Sequence, residues 1–134
     1  MSRSGYIDDY DDDFLALYRW RGQVASAIRG KRGQKLLKDL LSALDAMPEK
    51  VLIANELEAN DGGVCALGAV GKARGIDMTG VDPQEFEVVA PLFDIAEPLA
   101  REIAYENDEC GTYRETPGQR FVRVRKWVVS QIKE

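Results

Sequence analysis

Histidine is absent from this sequence, and cysteine occurs only twice. The missing imidazole removes the commonest general base and a common metal ligand. Two cysteines, Cys65 and Cys110, are too few for a disulfide framework, so we expect free thiols in a reducing compartment. No secretory signal is visible, and no apolar run approaches the roughly 20 residues of a membrane span. These absences favour a cytoplasmic protein that does not act at a membrane.

Motifs for catalysis are also missing. No GxSxG nucleophile elbow occurs, and Cys65 has no histidine to serve as its base. The glycines and bases at 29–35 lack the Ser or Thr of a phosphate-binding loop and follow a predicted helix instead of a strand. Glu56 and Glu58 form a carboxylate pair without the sugar-stacking aromatic residues of a glycosidase. We therefore predict no enzyme, no catalytic residues, no metal and no cofactor.

Charge is strongly segregated along the 134 residues, although the net charge is only −5. Residues 14–38 carry seven bases and no acid, and residues 114–134 carry six bases and two acids. Residues 39–113 carry sixteen acids and four bases, and residues 1–13 carry five acids and one base. A fold that brings the basic segments together would have a basic side and an acidic side.

Most of the chain has the apolar spacing of amphipathic helices. Asp82-Pro83-Gln84-Glu85 and Thr116-Pro117-Gly118-Gln119 have the residues of helix starts. Pro91 is expected to end or kink its helix near residues 89–90, and the start of the next helix is open between Asp94 and Glu97. The predicted long helices cover residues 13–29, 34–46 and 117–132, with a basic linker at 30–33.

The segment 51–75 interrupts this pattern. Residues 51–58 are strand-like, and Asn60-Asp61-Gly62-Gly63 is a reversal signal. After it, 64–67 is either a second strand or the start of a helix capped by Gly63. Small residues at 66, 68, 69 and 71 indicate that another backbone packs very close.

The predicted fold is mainly α, with five or six helices in one compact domain over 1–134 and at most one small β-hairpin near 51–66. Residues 1–10 lack periodicity and are predicted to form a flexible arm. The first two helices and the last should form the main packed group, with the central segment closing one side.

The run VCALGAVGKARGIDM, together with IRGKRGQ and YENDE, resembles a family of small uncharacterised proteins of tailed phages and prophages. The similarity extends over most of the chain. The resemblance implies a phage accessory protein in the cytoplasm of a bacterial host, with a host protein as its partner. It supplies no catalytic residues.

These observations predict a non-enzymatic accessory protein that binds a host protein, such as a defence or replication component. The acidic excess should face a basic partner. The candidate partner-binding residues are Glu56, Glu58, Glu102, Glu106, Asp108 and Glu109.

Two alternatives stay open. The first is a nucleic-acid-binding protein that uses the basic segments 19–38 and 114–126. Its candidate residues are Arg29, Lys31, Arg32, Lys35, Arg120, Arg123 and Lys126. The second is a small metal-dependent enzyme, because Glu102, Glu106 and Glu109 share a helix face in the acidic segment 102–109. The oligomeric state is open, a homodimer included.

Overall fold

Six α-helices form the described part of the chain. The computed structural model describes Arg3, Ser4 and residues 14–133. The predicted mainly α fold is confirmed. The helices are α1 (Phe14–Arg29), α2 (Lys31–Ala46), α3 (Ala66–Arg74), α4 (Phe86–Leu92), α5 (Glu97–Asp108) and α6 (Pro117–Gln131).

Helices α1 and α2 follow each other almost without a connection. The predicted linker over 30–33 was wrong, because only Gly30 separates them and α2 already begins at Lys31. Gly33 makes this possible, since a Cβ atom there would lie 2.0 Å from the carbonyl oxygen of Ala27. The first turn of α2 therefore packs directly against the last turn of α1.

The predicted hairpin is reduced to one antiparallel bridge between Glu58 and Val64. The Ala59 amide donates to the Gly63 carbonyl at 2.8 Å and closes the turn, in which Gly62 has a φ of 89°. Helix α3 begins only at Ala66, so the alternative in which Gly63 caps it is wrong, and the other alternative, a second strand over 64–67, is reduced to the bridge at Val64. The Cys65 sulfur caps α3 instead, by accepting from the Gly68 amide.

Helix α3 lies in the core, against α2 and α5. Residues Ala66, Leu67, Gly68, Ala69, Val70 and Gly71 are all buried. A Cβ atom at Gly68 would lie 1.9 Å from the carbonyl oxygen of Leu57, which confirms the close backbone approach predicted from the small residues. The central segment is thus an inner layer of the core, where a plug on one side was predicted.

The remaining helix boundaries match the start signals unevenly. Thr116 and Gln119 form a complete capping box at the start of α6, as predicted. The prediction of a helix start at Asp82 was wrong. The Asp82 carboxylate accepts from the Gln84 amide in a turn, and α4 begins only at Phe86. Pro91 lies inside α4, which continues past the predicted end at 89–90 to Leu92.

Leucines of α2 hold the centre of the core. Leu36, Leu37, Leu40 and Leu44 are completely buried. They face α3 on one side and α6 on the other, while α5 packs against α1, α3 and α4. Burying each such side chain stabilises the fold by about 1.5–3 kcal/mol.

A matched pair of glycine substitutions tests this packing. Gly68→Ala should destabilise the protein by about 1–3 kcal/mol, the usual cost of overpacking, because the new methyl group meets the Leu57 carbonyl. Gly22→Ala, in the interior of α1, meets nothing within 4 Å. It should stabilise the protein by about 0.5–1 kcal/mol, the propensity difference in a helix. Urea unfolding of both variants measures the two changes, and equal signs would contradict the packing described here.

Candidate functional site

The acidic residues of α5 are not a free surface. Glu102 is 4% exposed, and both of its carboxylate oxygens accept from Arg21, at 2.7 and 2.8 Å. This corrects the prediction of Glu102 as a partner-binding acid, because a buried carboxylate is stable only with such a cation beside it. Glu102 therefore joins α5 to α1 and is not accessible to a partner protein.

Asp108 is also paired, with an arginine from the predicted flexible arm. Its oxygens accept from Arg3 Nε at 2.6 Å and from Arg3 Nη2 at 2.7 Å. The side chains of Arg3 and Asp108 are only 2% and 3% exposed. Ser4 is buried beside them, with its hydroxyl donating to Glu109. At Arg3 and Ser4 the chain is thus packed, and the rest of the arm lies outside the described residues.

Arg3 occupies a polar pocket on the surface of the helical core. Besides Asp108, its guanidinium lies 3.5 Å from the Glu56 carbonyl oxygen and 3.6 Å from the Cys65 sulfur. The Asn55 amide donates to the Asp108 carboxylate at 3.2 Å, with Asn55 in the left-handed region at a φ of 69°. We call these four residues, Asn55, Glu56, Cys65 and Asp108, the Arg3 pocket.

Asn107 organises the back of the Arg3 pocket. It is completely buried, and its side-chain oxygen accepts from the Ala66 amide at 3.0 Å. Its side-chain nitrogen donates to the Ile53 carbonyl and to Asp108, both at 2.8 Å. The sequence did not single out Asn107, because its acidic neighbours were assigned to a charged surface and Asn107 was not considered separately from them. A neutral amide within the acidic run YENDE was the only signal.

Glu106 and Cys110 form a third engaged pair at the end of α5. The Cys110 thiol donates to the Glu106 carboxylate at 2.7 Å. Burial raises the pKa of Glu106, and burial together with this hydrogen bond raises the pKa of Cys110 to about 12. Cys110 is exposed as a residue, but its sulfur is partly desolvated against α5. It is therefore a poor nucleophile at neutral pH.

Glu56 and Glu58 keep the exposure that was predicted for them. Glu58 lies 3.6 Å from the ammonium group of Lys72, an exposed pair that contributes little to stability. Of the six predicted partner-binding acids, these two are exposed, whereas Glu106 and Glu109 are half-buried.

An open apolar groove of about 490 Å³ lies on the face formed by residues 47–53, 61–72 and Pro117. Glu49 and Asp61 are the acids among its lining residues, and Lys72 is its base. Lys72 is held by a 2.9 Å bond to the Gly62 carbonyl. We call this feature the central groove. Its apolar lining is Met47, Pro48, Val51, Ile53, Val64, Ala69 and Pro117.

Two of the predicted nucleic-acid contacts are structural arginines. Arg120 is half-buried and donates to the Leu52 carbonyl at 2.9 Å. Arg123 donates to Glu115 at 2.6 Å and to the Asn107 carbonyl at 3.2 Å. Hydrogen bonds from Arg123 lower the pKa of Glu115. Both arginines hold the connection between α5 and α6, so their assignment to phosphate binding is corrected.

The other predicted basic residues are exposed. Lys31 and Lys35 lie with Lys38 on one face of α2, at i, i+4 and i+7. Lys35 is 3.4 Å from Asp39, and Arg32 is 3.4 Å from Asp94, both exposed contacts. Arg29 is exposed at the C-terminal end of α1, and Lys126 is exposed within α6.

The proposed cation-binding set on α5 does not come together. Glu102, Glu106 and Glu109 are engaged with Arg21, Cys110 and Ser4 respectively. Within residues 3–4 and 14–133, no group of three or more acids or cysteines is arranged to hold a metal ion. No helix in the described part of the chain combines the length and apolarity that crossing a membrane requires.

Comparison with protein-family models, curated proteins and solved structures finds no match to this chain. The resemblance to phage and prophage proteins therefore stays a prediction.

The Cys110–Glu106 contact predicts the reactivity of the thiol. With a pKa of about 12, Cys110 should be alkylated by iodoacetamide at pH 8 far more slowly than an ordinary thiol. Glu106→Gln removes the negative charge beside the sulfur, so the pKa should fall and the rate should rise, roughly tenfold for each pKa unit. Mass spectrometry of the Cys110 peptide measures the rate.

Glu87→Gln, at an exposed position of α4, is the matched control and should leave the alkylation rate unchanged. An unchanged rate in Glu106→Gln would show that the carboxylate does not control the thiol.

Proposed function

We propose that this chain is a non-enzymatic accessory protein that binds a basic and apolar segment of a host protein in the central groove. The observation that supports this proposal is the combination of an open apolar groove with acids at its margin. Contiguous apolar surface bordered by polar residues is typical of a protein–protein contact site. The phage setting and the bacterial cytoplasm enter the proposal through the sequence resemblance alone.

The apolar lining supports the contact itself. Val51 is 36% exposed and lines the groove with Pro48 and Ile53. Covering such side chains gains about 25 cal/mol for each Å² removed from water. A partner segment with only charged side chains would not cover this apolar surface and would not obtain its free energy of burial. The partner segment should therefore carry apolar side chains.

The charge around the groove supports a basic partner. Glu49 and Asp61 line the groove, and Glu58 lies beside Lys72 at its edge. Such acids accelerate encounter with a positive surface and disfavour an acidic one. This revises the predicted acidic interface, because Glu102 and Asp108 are replaced by acids of the groove.

Substitution in the groove tests the proposal. Affinity capture from bacterial lysate, quantified by mass spectrometry, should recover one host protein with the wild-type chain. Val51→Arg places a long cation in the groove and should reduce its recovery at least tenfold, a loss of about 1.4 kcal/mol in binding free energy. Val122→Arg, at a 66% exposed position of α6, is the matched control and should retain the partner.

Equal recovery by the wild-type chain and Val51→Arg would exclude the central groove as the binding site. Equal loss in both variants would point to a non-specific effect of the added arginine.

Nucleic-acid binding is the second candidate, favoured by the row of Lys31, Lys35 and Lys38 on α2. Phosphate contacts need such exposed cations, but the net charge of −5 opposes them. We therefore expect only weak association, in the range of about 10⁻⁴–10⁻⁶ M that is typical of non-specific binding.

A mobility-shift titration with duplex and single-stranded DNA at about 150 mM salt, a physiological ionic strength, measures this affinity. The informative variant replaces Lys31, Lys35 and Lys38 by alanine, and Lys72→Ala is the control at an exposed position outside both basic segments. Sub-micromolar binding that the triple variant loses and the control keeps would favour the nucleic-acid function over the protein partner.

A further inference from the structure

We propose that the Arg3 pocket is an arginine-binding site for another polypeptide, which the chain's own Arg3–Ser4 segment fills in the structure described here. The proposal goes beyond the central groove and does not depend on it. The ligand class is a segment with an arginine followed by a small polar residue.

The contacts in the pocket are those of guanidinium recognition. Two nitrogens of Arg3 face the two oxygens of Asp108 at 2.6 and 2.7 Å, a bidentate arrangement that lysine cannot reproduce. The third nitrogen is near the Glu56 carbonyl and the Cys65 sulfur. All three guanidinium nitrogens thus have acceptors in one small site.

The ligand backbone is also recognised. The Ser4 carbonyl accepts from Arg101 Nη1 at 2.8 Å. Its hydroxyl donates to Glu109. Arg101 is itself held by Glu97, with 3.1 Å between Nε and the carboxylate. These contacts read a residue pair, arginine and then a small hydroxyl residue, instead of a lone positive charge.

The acceptor carboxylate is oriented independently of Arg3. Asp108 accepts from the Asn55 amide and from Asn107, whose other bonds reach Ala66 and Ile53. These groups belong to α3, α5 and the segment before α3. The pocket is therefore formed by the folded core, and Arg3 is its occupant.

The occupant can be exchanged for a ligand that makes the same contacts. Asp108 is buried, and a buried carboxylate left without its cation is strongly destabilising, so the replacement has to supply a guanidinium. The contacts described for Arg3 and Ser4 are ion pairs and hydrogen bonds that an equivalent residue pair can form. An incoming arginine makes the same contacts, but it competes with a tethered segment of about millimolar effective concentration.

Occupation of the pocket by Arg3 and Ser4 also shows what some of the predicted partner-binding acids contact in the folded chain. Asp108 and the Glu56 backbone do contact a cation, Arg3, and Glu109 contacts the serine that follows it. In the free chain both residues are its own. A partner would gain access only by displacing Arg3, so the segment acts as an intramolecular competitor.

Peptide binding to the full chain tests the proposal. The probe is the synthetic peptide MSRSG with a fluorophore at its C-terminus, and the readout is fluorescence anisotropy. Arg3→Ala should bind it at least tenfold more tightly than the wild-type chain, because the competitor is gone. The peptides MSASG and MSKSG are the controls, and the first should not bind while the second should bind more weakly.

Two further variants tie binding to the pocket. Adding Asp108→Asn to Arg3→Ala should abolish binding of MSRSG, while adding Asp45→Asn, at the exposed pair with Arg125, should not. If Arg3→Ala does not fold by circular dichroism, the wild-type chain serves alone, with arginine-dependent binding at higher peptide concentration as the expected result. Absence of arginine-dependent binding to a folded chain would overturn the proposal.

Light scattering separates a partner from a second copy of this chain. A wild-type monomer supports a site that is filled within one molecule. A wild-type dimer that dissociates in Arg3→Ala would mean that Arg3 is exchanged between copies, and would overturn the partner-binding proposal in favour of self-association.

Discussion

The side-chain amide of Asn107 connects α3, α5 and the irregular segment before α3. It binds the first amide of α3, the carbonyl of Ile53 and the carboxylate of Asp108. Because Asn107 is completely buried, losing any of these bonds would leave a polar group without a partner, at about 1–3 kcal/mol. The irregular segment before α3 is held by Asn107, by the bond from Arg120 to the Leu52 carbonyl and by the antiparallel bridge from Glu58 to Val64.

The segment that Asn107 holds contributes residues to both candidate sites. Ile53 and Val64 line the central groove, while Asn55, Glu56 and Cys65 form the Arg3 pocket. Both candidate sites therefore share the segment 51–65, which is irregular yet held by hydrogen bonds. Irregular segments on a rigid scaffold are common carriers of binding sites.

Charge segregation in the sequence has two different outcomes in the fold. Glu102 and Asp108 pair with arginines from distant segments, Arg21 and Arg3, and Glu115 pairs with Arg123 eight residues further along the chain. The acids near the central groove remain outside such networks, apart from the exposed contact of Glu58 with Lys72. A buried carboxylate needs a nearby cation and an exposed one does not, so burial decides which acids are available to a partner.

Local sequence determined the helices with strong periodicity and caps. Residues Thr116 to Gln119 contain every group of the capping box, and the leucines of α2 define its buried face without help from the rest of the chain. The glycines of α3 likewise predicted a close backbone contact, though not its partner, Leu57. Tertiary structure alone decided that Arg3 would meet Asp108 and that Glu102 would be buried against Arg21. Those outcomes depend on residues up to 105 positions apart in the chain, and no local pattern specifies which distant segment supplies the countercharge or the covering surface.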